Sequence, residues 1–146
     1  MKKIIISLVM VFTAIASAFA GEENIDQHVI KVFSKQFAGA KDVKWSIEND
    51  LYKATFVYRG KSVSAFYDKK AHQVGVTRYI LSTELPYHLQ RDLREYYNEY
   101  WVVDLFELSN DKGISYHVMI KNAGETIILS SVDEISWTIF KQFDNQ

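Results

Sequence analysis

The sequence predicts an α+β fold in which a unit of one helix and about four antiparallel strands occurs twice in tandem. Three observations carry this. The apolar residues pass twice from a helical period to strict alternation, turn residues separate the alternating runs, and the two halves superimpose at a constant offset of 64 residues.

The chain begins with Lys2 and Lys3, an apolar run from Ile4 to Ala16, and the small-residue ending Ala18-Phe19-Ala20 before Gly21. This is the layout of a secretory signal peptide, residues 1–20, with cleavage expected after Ala20. A membrane span is the competing reading. The run is shorter than the roughly 20 residues that cross a bilayer, and Ser7, Thr13 and Ser17 interrupt it. No cysteine follows that could carry a lipid, so no membrane anchor is expected and the mature chain should be soluble in the periplasm or outside the cell.

Residues 21–146 suffice for a single domain with one core. With no cysteine, disulfides and thiolate chemistry are excluded and packing alone must stabilise it, supported by an aromatic content of 14%. The formal net charge is −1 and Lys and Arg are scattered singly, so no basic stripe exists to neutralise a nucleic-acid backbone.

The first repeat spans about 24–80. Ile25, Val29, Val32, Phe33 and Phe37 fall on one helical stripe, and Asn24 with Gln27 suggests a capping box. Gly39 ends the helix. Val43, Trp45 and Ile47 then alternate with Lys44, Ser46 and Glu48, and Asn49-Asp50 forms a tight turn. Tyr52, Ala54, Phe56 and Tyr58 make the inner face of the next strand, which ends at Arg59-Gly60. A third strand is expected at Ser62–Tyr67, with the faces of Phe66 and Tyr67 undecided. A turn at Asp68–Ala71 leads to a fourth strand around Gln73–Ile80.

The second repeat spans about 83–143. Leu89, Leu93, Tyr96, Tyr97 and Tyr100 form a similar stripe, and Pro86 suits the first turn of that helix. Trp101, Val103 and Leu105 alternate, Ser109–Gly113 turns the chain, and Tyr116, Val118 and Ile120 alternate again. Strands near Glu125–Ser130 and Ile135–Phe140 complete the set. The offset pairs Val29 with Leu93, Phe33 with Tyr97, Ala54 with Val118, Phe56 with Ile120, and Gly60 with Gly124.

Phe33-Ser-Lys-Gln-Phe37-Ala-Gly-Ala40, Val43-Lys-Trp45, Tyr52-Lys-Ala-Thr-Phe56, Gly60, Ala65-Phe-Tyr-Asp68, Leu85-Pro86, Tyr97 and Trp101 together resemble a family of small exported bacterial proteins described as beta-lactamase-inhibitor-like or PepSY-like. The chain departs from it at Ala38, where relatives often have proline, and in the turn after Asp68, where they often have glycine. The resemblance implies helices on one side of a curved sheet, an open opposite face that grips a protein partner in the inhibitors, and no enzyme activity.

No catalytic constellation is present. His28, His72, His88 and His117 form neither H-x-x-x-H nor H-E-x-x-H, and there is no nucleophile elbow, Walker loop or dinucleotide turn, so no metal, cofactor or catalytic residue is expected. Glu84, Asp92, Glu95 and Glu99 could include an acid–base pair, but helix-surface charge is the simpler reading. Tyr96, Tyr97 and Tyr100 could stack a ligand, but their stripe position favours core packing.

The face away from the helix is polar in the first repeat, at Lys44, Ser46, Glu48, Lys53, Thr55 and Arg59. In the second it carries Val102, Phe106, Leu108, Met119 and Lys121, with Ile127 or Leu129 added, unless Trp137–Phe143 folds over it. An apolar patch there points to a partner. Phe106, His117 and Met119 are the candidate binding residues for a protein or peptide, although a solvated strand position is the plainer reading of His117. A carrier of a small envelope ligand, and a homodimer pairing the same patch, are the other readings.

Overall fold

The computed structural model describes residues 24–146, so the expected signal peptide lies outside the described residues. The fold is α+β with antiparallel strands, in two compact units that divide after Val76.

In the first unit, helix α1 (Gln27–Gln36) precedes strands β1 (Lys41–Glu48), β2 (Leu51–Tyr58), β3 (Lys61–Tyr67) and β4 (Gln73–Tyr79), within which the boundary falls. The α1 cap is Asp26, whose side chain accepts a 2.7 Å hydrogen bond from the His28 backbone N–H; the expected capping box at Asn24 and Gln27 gives way to this one-residue-shorter arrangement. Gly39 takes φ +89° after the helix, as its position predicts. Asn49 and Asp50 (φ 47° and 65°) and Arg59 and Gly60 (φ 50° and 75°) both have the paired left-handed conformations of tight hairpin turns.

One apolar cluster joins α1 to the sheet: Val29 and Phe33 meet Trp45, Ala54, Phe56, Val63, Ala65 and Tyr67. The Phe33 ring lies edge-on to Trp45 (5.2 Å) and Phe56 (4.9 Å). Tyr67 therefore faces the helix, where its hydroxyl donates to Gln36 Oε1 at 2.7 Å. Phe66 takes the other face with Leu51 and Val74. Two details differ from the alternation: Ile47 is exposed and Ser46 is buried.

The second unit has a 3₁₀ turn (Ser82–Glu84), helix α2 (Tyr87–Tyr96), and strands β5 (Trp101–Asn110), β6 (Gly113–Lys121), β7 (Glu125–Ser131) and β8 (Thr138–Asp144). Its cluster packs Leu85 and Leu89 against Leu105, Tyr116, Val118, Ile120, Ile127 and Leu129, with Leu93, Tyr97, Tyr100 and Trp137 at its border. Tyr96, expected in the core, is exposed because the helix ends there and its ring points away from the cluster. Asp133 holds the loop before β8 by accepting from the backbone N–H groups of Ile135 (2.9 Å) and Ser136 (3.0 Å), bonds that lower its pKa. Trp137–Phe143 does not fold across the sheet. Trp137 Nε1–H donates to the Leu89 carbonyl at 3.0 Å, and the residues after it add to β7 as an edge strand.

Candidate functional site

A slip in pairing decides which residues share a face. Val102 pairs with Ile120 and Asp104 with Met119, so Val103 is an extra residue, a β-bulge that reverses the alternation. Leu105, Val118 and Leu129 then face α2, while Asp104, Phe106, Met119 and His117 face away. The bulge corrects two expectations. Trp101 and Val103 do not continue the inner face and are exposed, and Val102 sits on the helix side opposite Ile120. Ile127 and Leu129 also belong to the helix side; Ile128 is the β7 contribution to the outer face, opposite Met119.

The three sequence candidates therefore come together. Phe106 pairs with His117, and Met119 is two residues along the same strand from His117. The His117 imidazole stacks on the Phe106 ring at 5.1 Å with 23° between planes, and Tyr79 approaches Phe106 edge-on at 6.4 Å. Phe106 and His117 are buried, Met119 is half-buried and Tyr79 is 44% exposed. His117 shares a 2.9 Å hydrogen bond between Nε2 and Ser115 Oγ, while Nδ1 has no partner. Burial lowers the His117 pKa to about 4, so the ring is neutral at physiological pH. Burial likewise raises the pKa of Asp104, against the Leu105 backbone N–H that lowers it, and raises that of the Tyr79 hydroxyl, aided by the charge of Asp104. The surface is apolar, with a neutral imidazole at its floor and the Asp104 carboxyl beside it.

Tyr79, Asp104 and Ile128 were not evident from sequence. Tyr79 lies at the end of a short strand, and the other two take their faces from the bulge and from a choice between adjacent apolar residues. In the first unit the outer face is polar only in part: Lys53 Nζ meets Glu48 Oε1 at 3.3 Å and Thr55 Oγ1 lies 3.3 Å from Ser64 Oγ, but Leu51, Phe66 and Val74 form an apolar cluster on the same face. Among the described residues, no group of three or more His, Asp or Glu side chains could hold a metal, and no helix is long and apolar enough to cross a membrane. A separate cleft of about 430 Å³ runs beside α2, lined in part by Gln90, Leu93, Arg94, Tyr97 and Tyr100.

These features define a class, a helix-covered antiparallel sheet with one outer face carrying an apolar cluster. No family model matches the sequence, and no curated protein matches it. Solved structures do share the fold. A BLIP-like protein from Bacteroides fragilis is 18% identical with a TM-score of 0.68, over 82% of this chain and 85% of that one. A DUF2874 family protein from Bacteroides uniformis is 17% identical with a TM-score of 0.72, over 82% and 89%. A protein from Bacteroides eggerthii, provisionally described as periplasmic, is 13% identical with a TM-score of 0.72, over 82% and 88%. The chain has the BLIP-like fold, in agreement with the resemblance its sequence carries.

Proposed function

We propose that the chain is an exported, non-enzymatic binding module whose β5–β7 outer face contacts a protein or peptide. The observation that carries this is the grouping of Phe106, His117, Met119 and Ile128 on the face opposite α2, with an uncharged histidine whose Nδ1 is unpaired. Phe106 and His117 form the floor, and Met119 and Tyr79 offer the accessible apolar surface that supplies affinity. The BLIP-like neighbour supports binding as the role, and the neighbour described as periplasmic supports export, with residues 1–20 removed as the signal. We also read the two units as copies of one helix-and-sheet repeat, since Ala54 and Val118, and Phe56 and Ile120, related by the offset of 64, occupy the inner faces of their respective clusters.

The test is a pull-down from envelope and secreted fractions with the chain, against a Tyr79→Asp, Met119→Asp variant of confirmed thermal stability. Both substituted positions are at least partly accessible, so the variant separates loss of contact from loss of fold. A partner held by the native chain and lost by the variant supports the face. Equal retention by both sinks it. The cleft beside α2, with Arg94 among tyrosines, favours a small-ligand carrier as the second reading, which apolar-dye titration with and without Arg94→Ala would test.

A further inference from the structure

We propose that the cleft beside α2 is a binding site for a small aromatic carboxylate, with the anion held by Arg94 and the ring by Tyr97 and Tyr100. The inference rests on the small-ligand reading of this cleft and names its ligand class; it is independent of the β5–β7 outer face. The cleft encloses about 430 Å³, within the roughly 300–1,000 Å³ usual for small-molecule sites. Gln90, Leu93, Arg94 and Tyr97 reach it at intervals of three and four residues, so one stripe along α2 and its end builds that side.

Charge selects an anion. Among the described residues that line the cleft, Arg94 is the one that carries a charge. It forms no ion pair among the described residues, although two carboxylates are close in sequence, because Arg91 takes both: Asp92 at 2.8 Å and Glu95 at 3.8 Å. The partner of Arg94 is neutral. Its Nη1 donates to Gln90 Oε1 at 3.2 Å. Gln90 is held in turn, since its Nε2 donates to the carbonyls of Thr83 at 3.3 Å and Leu85 at 3.4 Å, which turns Oε1 toward the guanidinium. One corner of the fork is thereby fixed. Nε and Nη2 remain, the edge that grips a carboxylate through two parallel hydrogen bonds. A single cation matches one negative charge, which favours a carboxylate over a phosphate monoester carrying nearly two.

The tyrosines select a flat body for that anion. Tyr97 and Tyr100 stand edge to face, with centroids 6.0 Å apart and planes at 71°. Both are half-buried at the border of the apolar cluster and both line the cleft, so core packing and ligand stacking are compatible in one ring pair. The Tyr100 hydroxyl donates to Glu125, a residue outside the cleft, and what Tyr100 offers a ligand is its ring. Two rings at this angle let a third stack on one and meet the edge of the other, a gain that an aliphatic chain would not share.

Calorimetric titration of the chain with 2-naphthoate should show saturable binding roughly tenfold or more tighter than with 2-naphthamide, which has the same ring and no charge. Benzoate should bind several-fold more tightly than cyclohexanecarboxylate, an anion without a π-face. Arg94 is exposed, so Arg94→Gln should keep the native melting temperature and bring naphthoate and naphthamide to the same affinity. Equal affinity of the native chain for naphthoate and naphthamide overturns the proposal while leaving the small-ligand reading in place. Binding of neither, nor of an uncharged apolar dye, overturns both. A preference for naphthoate that survives Arg94→Gln, or cyclohexanecarboxylate binding as tightly as benzoate, also overturns the proposal.

Discussion

Replacing Phe33 with alanine should remove about 4 kcal/mol of stability. Phe33 is 4% exposed and its ring touches Phe37 at 5.5 Å, Trp45 at 5.2 Å and Phe56 at 4.9 Å, the last two edge-on at 75° and 76°. Truncating a buried phenylalanine costs about 3–5 kcal/mol, from lost transfer energy and the cavity left behind. Two edge-to-face contacts account for about 1 kcal/mol each within that figure. The clustered rings of Phe37 and Trp45 cannot collapse into the space without leaving their strand and helix, which favours the upper half of the range. Against a total of about 5–15 kcal/mol for a domain, the variant should melt on the order of 15 °C lower. Urea unfolding followed by far-UV circular dichroism and by tryptophan emission reads it, with buried Trp45 as the local reporter. Phe33→Leu keeps most of the volume and loses the ring geometry, so its loss should be about half as large. An alanine variant that loses less than about 2 kcal/mol, or a leucine variant equal to it, would refute the view that ring packing between α1 and the sheet holds the first unit.

Asp26→Ala removes the α1 cap and should cost about 1 kcal/mol in a denaturant titration, with Asp26→Ser nearly neutral. Gly39→Ala meets no atom within 4 Å, so its cost is backbone strain alone, about 1 kcal/mol at φ +89°. For His117, the folded pKa of about 4 lies below the unfolded value near 6.5, so the unfolded chain binds more protons between them. Stability should be full above about pH 6.5 and fall by a few kcal/mol as pH drops toward 4. His117→Gln should flatten that slope in melts across pH, and an unchanged slope would show the ring is not buried as described.

Where apolar period and turn chemistry agree, as at Val29 and Phe33 on α1, Ala54 and Phe56 on β2, and the left-handed pairs at Asn49-Asp50 and Arg59-Gly60, the elements were legible in the sequence. The face of the second unit was legible only in part. Phe106, His117 and Met119 were placed together correctly, but Val102 and Trp101 were misassigned because one bulge residue, Val103, resets parity without any local signature such as glycine. β8 starts later than the apolar residues Ile135 and Trp137 suggested, because Asp133 holds Ile135 and Ser136 in a loop and Trp137 turns to the Leu89 carbonyl. Tyr96 misled for a different reason. Helical spacing counts it with Leu89 and Leu93, but α2 ends at Tyr96 and its side chain is 70% exposed, while Tyr97 just beyond packs on the cluster.

The tight turns have a kinetic consequence. Glu48 pairs with Leu51, Tyr58 with Lys61, and Asn110 with Gly113, so these ladders begin between residues three apart in the chain. Each hairpin closes a minimal loop and then zips outward, and the separation between partners grows by only two residues per added pair. The hairpins are therefore local for a chain rich in strands, while the contacts of each helix with its sheet, such as Gln36 with Tyr67 and Leu89 with Trp137, are the distant ones. The slow event becomes the landing of each helix on its completed hairpins, a step that Phe33 and Leu89 control and that the turns do not.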